Sequence, residues 1–235
     1  MANNNTPYQL PVVETISTSW DKVSGAKGSV WAAIGILFVI TSGLFFIAGL
    51  LEPVSHILSV VLLIASFIVY FLLLIGLIYI GIARAASKPI TYRLMFNTFN
   101  TTTALNLIGV YLLKIIILIP ATLLIIAATI MQQSNQNVAL VFIIGAVGVI
   151  ASIYLSLRLY LGIGYVLDKG ANPLEAVKLS FKATRYNVLN LLGLTALQIG
   201  IIIIAEIPLG IGLIWAIPLT LIIYGTVYKR LSSNN

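Results

Sequence analysis

The chain contains no cysteine and a single histidine, His56. The first absence excludes disulfides, thiolate nucleophiles and cysteine metal sites, and the second excludes a multi-histidine metal centre within one chain. Charge is almost as scarce: 8% of the 235 residues are charged, against about 25% in an ordinary soluble domain. That leaves too little polar side chain to cover a water-facing surface. Acidic residues number six against thirteen lysines and arginines, and they form no paired-carboxylate motif. No Ser-His-Asp arrangement is present, and Gly162-Ile-Gly164 lacks the third glycine and the strand-turn-helix setting of a phosphate-binding loop. The sequence therefore predicts no catalytic residues, no metal and no cofactor. The opening residues Met1–Thr6 are polar rather than basic-then-apolar, so no cleavable signal peptide is expected.

Apolar residues are what the chain has in excess, at 60%, with a mean hydropathy of +1.09. Crossing the roughly 30 Å of bilayer hydrocarbon takes about 20 helical residues. Long apolar runs at about 30–51, 57–82, 104–130, 138–167, 188–207 and 211–228 predict an all-α polytopic protein of six transmembrane helices. A β-barrel would show short alternating segments instead. Residues 1–12 read as a flexible tail, 13–228 as one transmembrane domain and 229–235 as a cytoplasmic C-terminal tail.

Three interfacial amphipathic helices are expected between or before the spans. The clearest starts at Asn172: this residue suits the N-cap, Pro173 the first helical position and Glu175 the third. Lys178, Lys182 and Arg185 then fall on one stripe, beside Leu174, Val177 and Phe181. A second covers Ser87–Phe96, with Lys88 and Arg93, and a first runs from Glu14 to Lys27 with Trp20 at the interface. Every lysine or arginine lying between spans falls before the first, between the second and third, between the fourth and fifth, or after the sixth. The positive-inside rule then places both termini in the cytoplasm. The net charge of +7 is read as topology signal and as attraction to anionic lipid head groups, not to nucleic acid.

A shift of 84 residues superposes Pro89 on Pro173, Leu105-Asn106-Leu107 on Leu189-Asn190-Leu191, and Gly109 on Gly193. A shift of 161 sets Glu14, Ser19 and Trp20 on Glu175, Ser180 and Phe181. The pattern predicts a parallel three-fold repeat of surface helix plus transmembrane hairpin. The run through Asp168, Glu175-Ala176, Ser180-Phe181, Asn187 and Gly193, followed by Gly210-Ile-Gly212, Pro218 and a terminal Tyr-Lys-Arg, resembles the YciC-like group of six-span bacterial membrane proteins. It is similar also to the membrane region of some glycerophosphodiester phosphodiesterases. The resemblance implies a bacterial cytoplasmic (inner) membrane protein and brings no catalytic residues with it.

Lys114 lies about ten residues into the third span, near the bilayer centre, where an ionisable group costs about 3 kcal/mol on insertion scales. Gln198 occupies the equivalent repeat position. Together they mark either a mid-membrane site for an anion or lipid head group, with Glu206 or Glu52 as outer partners, or a helix-tying contact with snorkelling. Arg158, near the cytoplasmic end of span four, is read as a second binding candidate or a head-group anchor. Gly145, Gly148, Ser152 and Ser156 have the spacing that admits a close neighbouring helix. The expected role is non-enzymatic: organising membrane lipid, chiefly anionic, or a partner membrane protein in envelope homeostasis. A transporter or channel for a small anionic or lipid-like solute, using Lys114 and Gln198, is the alternative.

Overall fold

Apolar runs that cannot satisfy their backbone in lipid except as helices fold here into antiparallel hairpins. The computed structural model describes residues 8–134 and 137–233. Most of the expected N-terminal tail, Asn135 and Gln136 of the polar loop, and Asn234 and Asn235 of the C-terminal tail lie outside the described residues. The order is α1 (Val12–Trp20), α2 (Lys27–Leu51), α3 (His56–Ala85), a 3-10 segment (Tyr92–Phe99), α4 (Thr101–Gln133), α5 (Val138–Arg158), α6 (Gly162–Lys169), α7 (Pro173–Thr184), α8 (Val188–Glu206) and α9 (Leu213–Ser233). Local chemistry sets several starts. The side chains of Ser55, Asn100, Asn137 and Asn172 each accept from a free N–H in the first turn of α3, α4, α5 and α7. Gly170, at φ 64°, ends α6 in the left-handed conformation that lets Ala171 N–H reach back to the Tyr165 carbonyl.

Five stretches are long and apolar enough to cross a membrane: α2, α3, α4, the α5–α6 stretch Val138–Lys169, and α8. The expected sixth span corresponds to α9, which is not among them. Its proline, threonines, tyrosines and terminal Lys229 and Arg230 dilute its apolarity. It is instead the most enclosed helix, with Ala216, Pro218, Leu219, Ile222–Tyr228 and Leu231 all buried.

Contacts gather the ends of the helices at one base. Arg84 Nε donates to the Lys22 carbonyl at 2.9 Å, and Lys22 Nζ donates to the Ala85 carbonyl at 2.5 Å. Burial, with the neighbouring Arg84 charge, lowers the Lys22 pKa. Arg230 pairs with Glu14 at 2.7 Å and Lys229 with Asp168 at 3.0 Å. Both ends of the described chain therefore meet at the same side of the molecule. Within this base α9 packs on α3 so closely that a methyl on Gly225 would strike the backbone of Gly81 and Ile82, and one on Gly81 the backbone of Leu221.

Away from the base the hairpins part. α2 packs on α3 and α4 on α5, whereas contact between these two hairpins is slight and includes the edge-to-face pair Phe71–Tyr111, 4.6 Å between ring centres. The small-residue stripe of α5 does admit a close neighbour: Gly148 lies against Ala121, Leu124 and Ile125, and Gly145 against Ala128, all from α4. α4 is helical straight through Pro120. Twelve residues separate Gly225 from the start of α9 and twenty-five separate Gly81 from the start of α3. At 1.5 Å per residue α3 projects about 20 Å further along its axis than α9, so the third hairpin is the short one.

Several expectations change in detail. The fourth span is broken at residues 159–161, between α5 and α6. The second surface helix is the 3-10 segment, and it is packed in rather than laid on: Met95 sits against Gly76, and the Thr98 hydroxyl donates to the Leu72 carbonyl at 3.0 Å. α1 turns polar residues inward, Thr15 and Ser19 meeting Arg230 and Thr226, and leaves Val13 and Trp20 exposed. Just before α1, Asn187 holds the chain, accepting from Leu10 N–H at 2.6 Å and donating to the Tyr8 carbonyl at 2.8 Å. The hairpins also differ in environment where the repeat aligns them: Gly109 packs on Pro173, while Gly193 faces open space.

Candidate functional site

Two groupings of side chains have functional potential, a polar layer above the base and a ring of cations around it. The layer starts at Lys114. Ala121 and Ala128 face the glycines of α5, and the half-buried Lys114 stands seven residues before Ala121, two turns along the same stripe of α4. Its ammonium lies 5.9 Å from the centre of the Tyr111 ring, at the limit of useful cation–π attraction, about 6 Å. The Tyr224 ring lies 5.1 Å from that of Tyr160, in the α5–α6 break. Its hydroxyl donates to the Tyr160 carbonyl at 3.2 Å and accepts from Gly164 N–H at 3.1 Å. Gln198 of α8 reaches the Tyr160 side chain, and its Nε2 is buried without a hydrogen-bond partner in the described structure.

The layer thus holds two groups, Lys114 beside Tyr111 of α4, and Gln198 beside Tyr160 and Tyr224 of the α5–α6 break and α9. The layer offers an ammonium, an amide and phenols but no carboxylate, a set suited to an acceptor such as a phosphate or carbonyl oxygen. Glu206 does not complete it. It is exposed at the tip end of α8, and the two ion pairs among the described residues lie elsewhere. Glu52, exposed in the turn between α2 and α3, forms neither pair.

Arg158 belongs to a different contact. Its guanidinium carbon lies 5.0 Å from the Phe181 ring and 5.9 Å from that of Tyr154, with Nε buried and unpaired. Its carbonyl, one of those orphaned at the end of α5, accepts from Ser180 Oγ at 2.8 Å and Thr184 Oγ1 at 3.3 Å. That explains which face α7 buries. Ala176, Ser180, Ala183 and Thr184 are enclosed, while Leu174, read from sequence as part of the apolar face, is exposed.

The ring of cations comprises Lys88, Arg93, Lys178, Lys182 and Arg185, all exposed, as is Trp20 at 52%. Two nearby carboxylates are already engaged, Asp168 by Lys229 and Glu14 by Arg230. Glu175 accepts from the Asn172 side chain at 3.3 Å. The Asn172–Pro173–Glu175 start of α7 is as the sequence predicts, with Glu175 N–H donating to Asn172 at 3.0 Å. Sequence reasoning passed over Tyr111, Tyr160 and Tyr224. Tyr111 carried the one available signal, standing one helical turn from Lys114.

No protein-family model matches the chain, and neither a curated protein nor a solved structure is similar to it at a significant level.

Proposed function

We propose that this multi-pass membrane protein organises phospholipid around its base and acts without catalysis, in the cytoplasmic membrane of a bacterium. The observation that carries the reading is the combination of two long apolar hairpins standing apart and a shared base rimmed by Lys88, Arg93, Lys178, Lys182 and Arg185. In a bilayer the space between the hairpins is filled by acyl chains, while the exposed cations meet anionic head groups of the leaflet beside the base. In this reading α9 is a sixth crossing and both termini are cytoplasmic. Supporting it, α8 is about 28 Å long, close to the hydrocarbon thickness, and α9 returns the chain to Glu14. The three units of short helix plus hairpin descend from one parallel repeat, and kinship with the YciC-like group belongs to the same proposal.

Lipid, rather than a permeating solute, is favoured as the ligand because Leu161, Tyr165 and Tyr228 are fully buried in the base, which closes it. A partner membrane protein would dock on the same apolar arms. The test is lipid retention. Protein extracted in mild detergent should carry anionic phospholipid in excess of its share of the membrane. Replacing Lys178, Lys182 and Arg185 with Gln should lower that excess by about 1 kcal/mol of attraction per cation at low salt. Equal retention of anionic and neutral lipid by the unmodified protein would refute the proposal.

A further inference from the structure

All three tryptophans of the chain, Trp20, Trp31 and Trp215, converge on one corner of the base. Pro218 cannot donate to the Ile214 carbonyl, its partner four residues back, and the Trp31 indole donates to that oxygen instead, at 3.1 Å. This fixes the start of α9 beside α2 and sets Trp215 under Lys27, whose ammonium lies 5.1 Å from the ring centre. Between Trp20 and Trp215 is a recess of about 270 Å³ whose polar walls are Asp21, Ser24 and Lys27. Trp20 also forms one wall of an adjoining groove of about 480 Å³, lined by Val13, Ile16, Leu197, Ile201 and Leu219 from α1, α8 and α9.

We propose that this corner binds one phospholipid with a primary ammonium in its head group, the head in the Trp20–Lys27–Trp215 recess and an acyl chain in the adjoining groove. The groove holds about three times the 150 Å³ that admits benzene, room for a chain, and a small set of placed polar groups beside an apolar wall is the usual form of a ligand site. Charge complementarity selects the head group. Lys27 offers a cation to the phosphate. Asp21 and Ser24 offer oxygens to the ammonium N–H groups, which a quaternary amine lacks. Exposed Trp20 and Trp215, 52% and 38%, set the corner at head-group depth, as indoles do at membrane interfaces. The site rests on the reading that the base lies at one membrane surface, but not on the basic stripe of α7.

Tryptophan quenching by phospholipids brominated on the acyl chain tests it in detergent micelles, since Trp20 and Trp215 line the recess and Trp31 is bonded to the residue before Trp215. The ethanolamine lipid should quench saturably at a mole fraction about tenfold below that needed by choline or glycerol head groups, a difference read directly as relative affinity. Lys27→Gln should weaken binding of all three head groups, whereas Asp21→Asn, which alters an exposed residue, should abolish the preference for ethanolamine. Identical curves for the three head groups, or an unchanged preference in Asp21→Asn, would overturn the proposal. Loss of anionic lipid from the variant with Lys178, Lys182 and Arg185 replaced is read separately, so either idea can fail alone.

Discussion

At the scale of single residues, glycine marks where backbones touch. Gly81 and Gly225 bring α3 and α9 together with nothing between them, and an added methyl on either would have to move a helix. Gly225→Ala should cost about 1–3 kcal/mol, the usual penalty for overfilling a packed interior. Gly193→Ala, where no atom lies within 4 Å of the new methyl, should be neutral or gain up to about 1 kcal/mol from helix propensity. Thermal unfolding of both variants in the same detergent gives the comparison, and equal shifts would mean that the α3–α9 crossing does not govern stability.

At the scale of elements, α9 is held by what its proline removes. With Pro218 in place, the Ile214 carbonyl has no intrahelical donor and depends on Trp31. Trp31→Phe should therefore destabilise the protein by about 1 kcal/mol, the net worth of a hydrogen bond. In a Pro218→Ala background the helix can supply its own N–H, and the same substitution should cost measurably less. A double-mutant cycle on melting free energies reports that coupling, and strict additivity would dissociate the proline from the indole. α7 shows the same logic on a shorter path: the hydroxyls of Ser180 and Thr184 take up the Arg158 carbonyl, so this helix buries its small polar face and leaves Leu174 outside.

At the scale of the whole molecule, the base joins segments that are far apart in sequence. Glu14 meets Arg230, and Asp168 meets Lys229, so the segment before α7 and both ends of the described chain share one side. A chain without cysteine allows single-cysteine mapping without background. Thr18→Cys and Ser233→Cys should label from the cytoplasmic side, and Ser55→Cys, in the turn between α2 and α3, only from the opposite side. Labelling of Ser55→Cys and Ser233→Cys from one common side would remove the six-crossing topology.

Helix type and most boundaries were written in the sequence, because a backbone in lipid has few alternatives to a helix and because caps such as Asn172 with Glu175 act within one turn. The positions of α2, α3, α4 and α8 follow the apolar runs to within about three residues, inside ordinary boundary uncertainty. Lys114 was legible too, since a charge stands out in hydrocarbon. The pairing of Tyr224 with Tyr160 was not, because no local signal links two residues sixty-four apart. The break between α5 and α6, the inward polar face of α1 and the central place of α9 were likewise decided only by tertiary contact. In a membrane-embedded chain apolarity does not distinguish the side that meets lipid from the side that meets protein, and packing makes that choice.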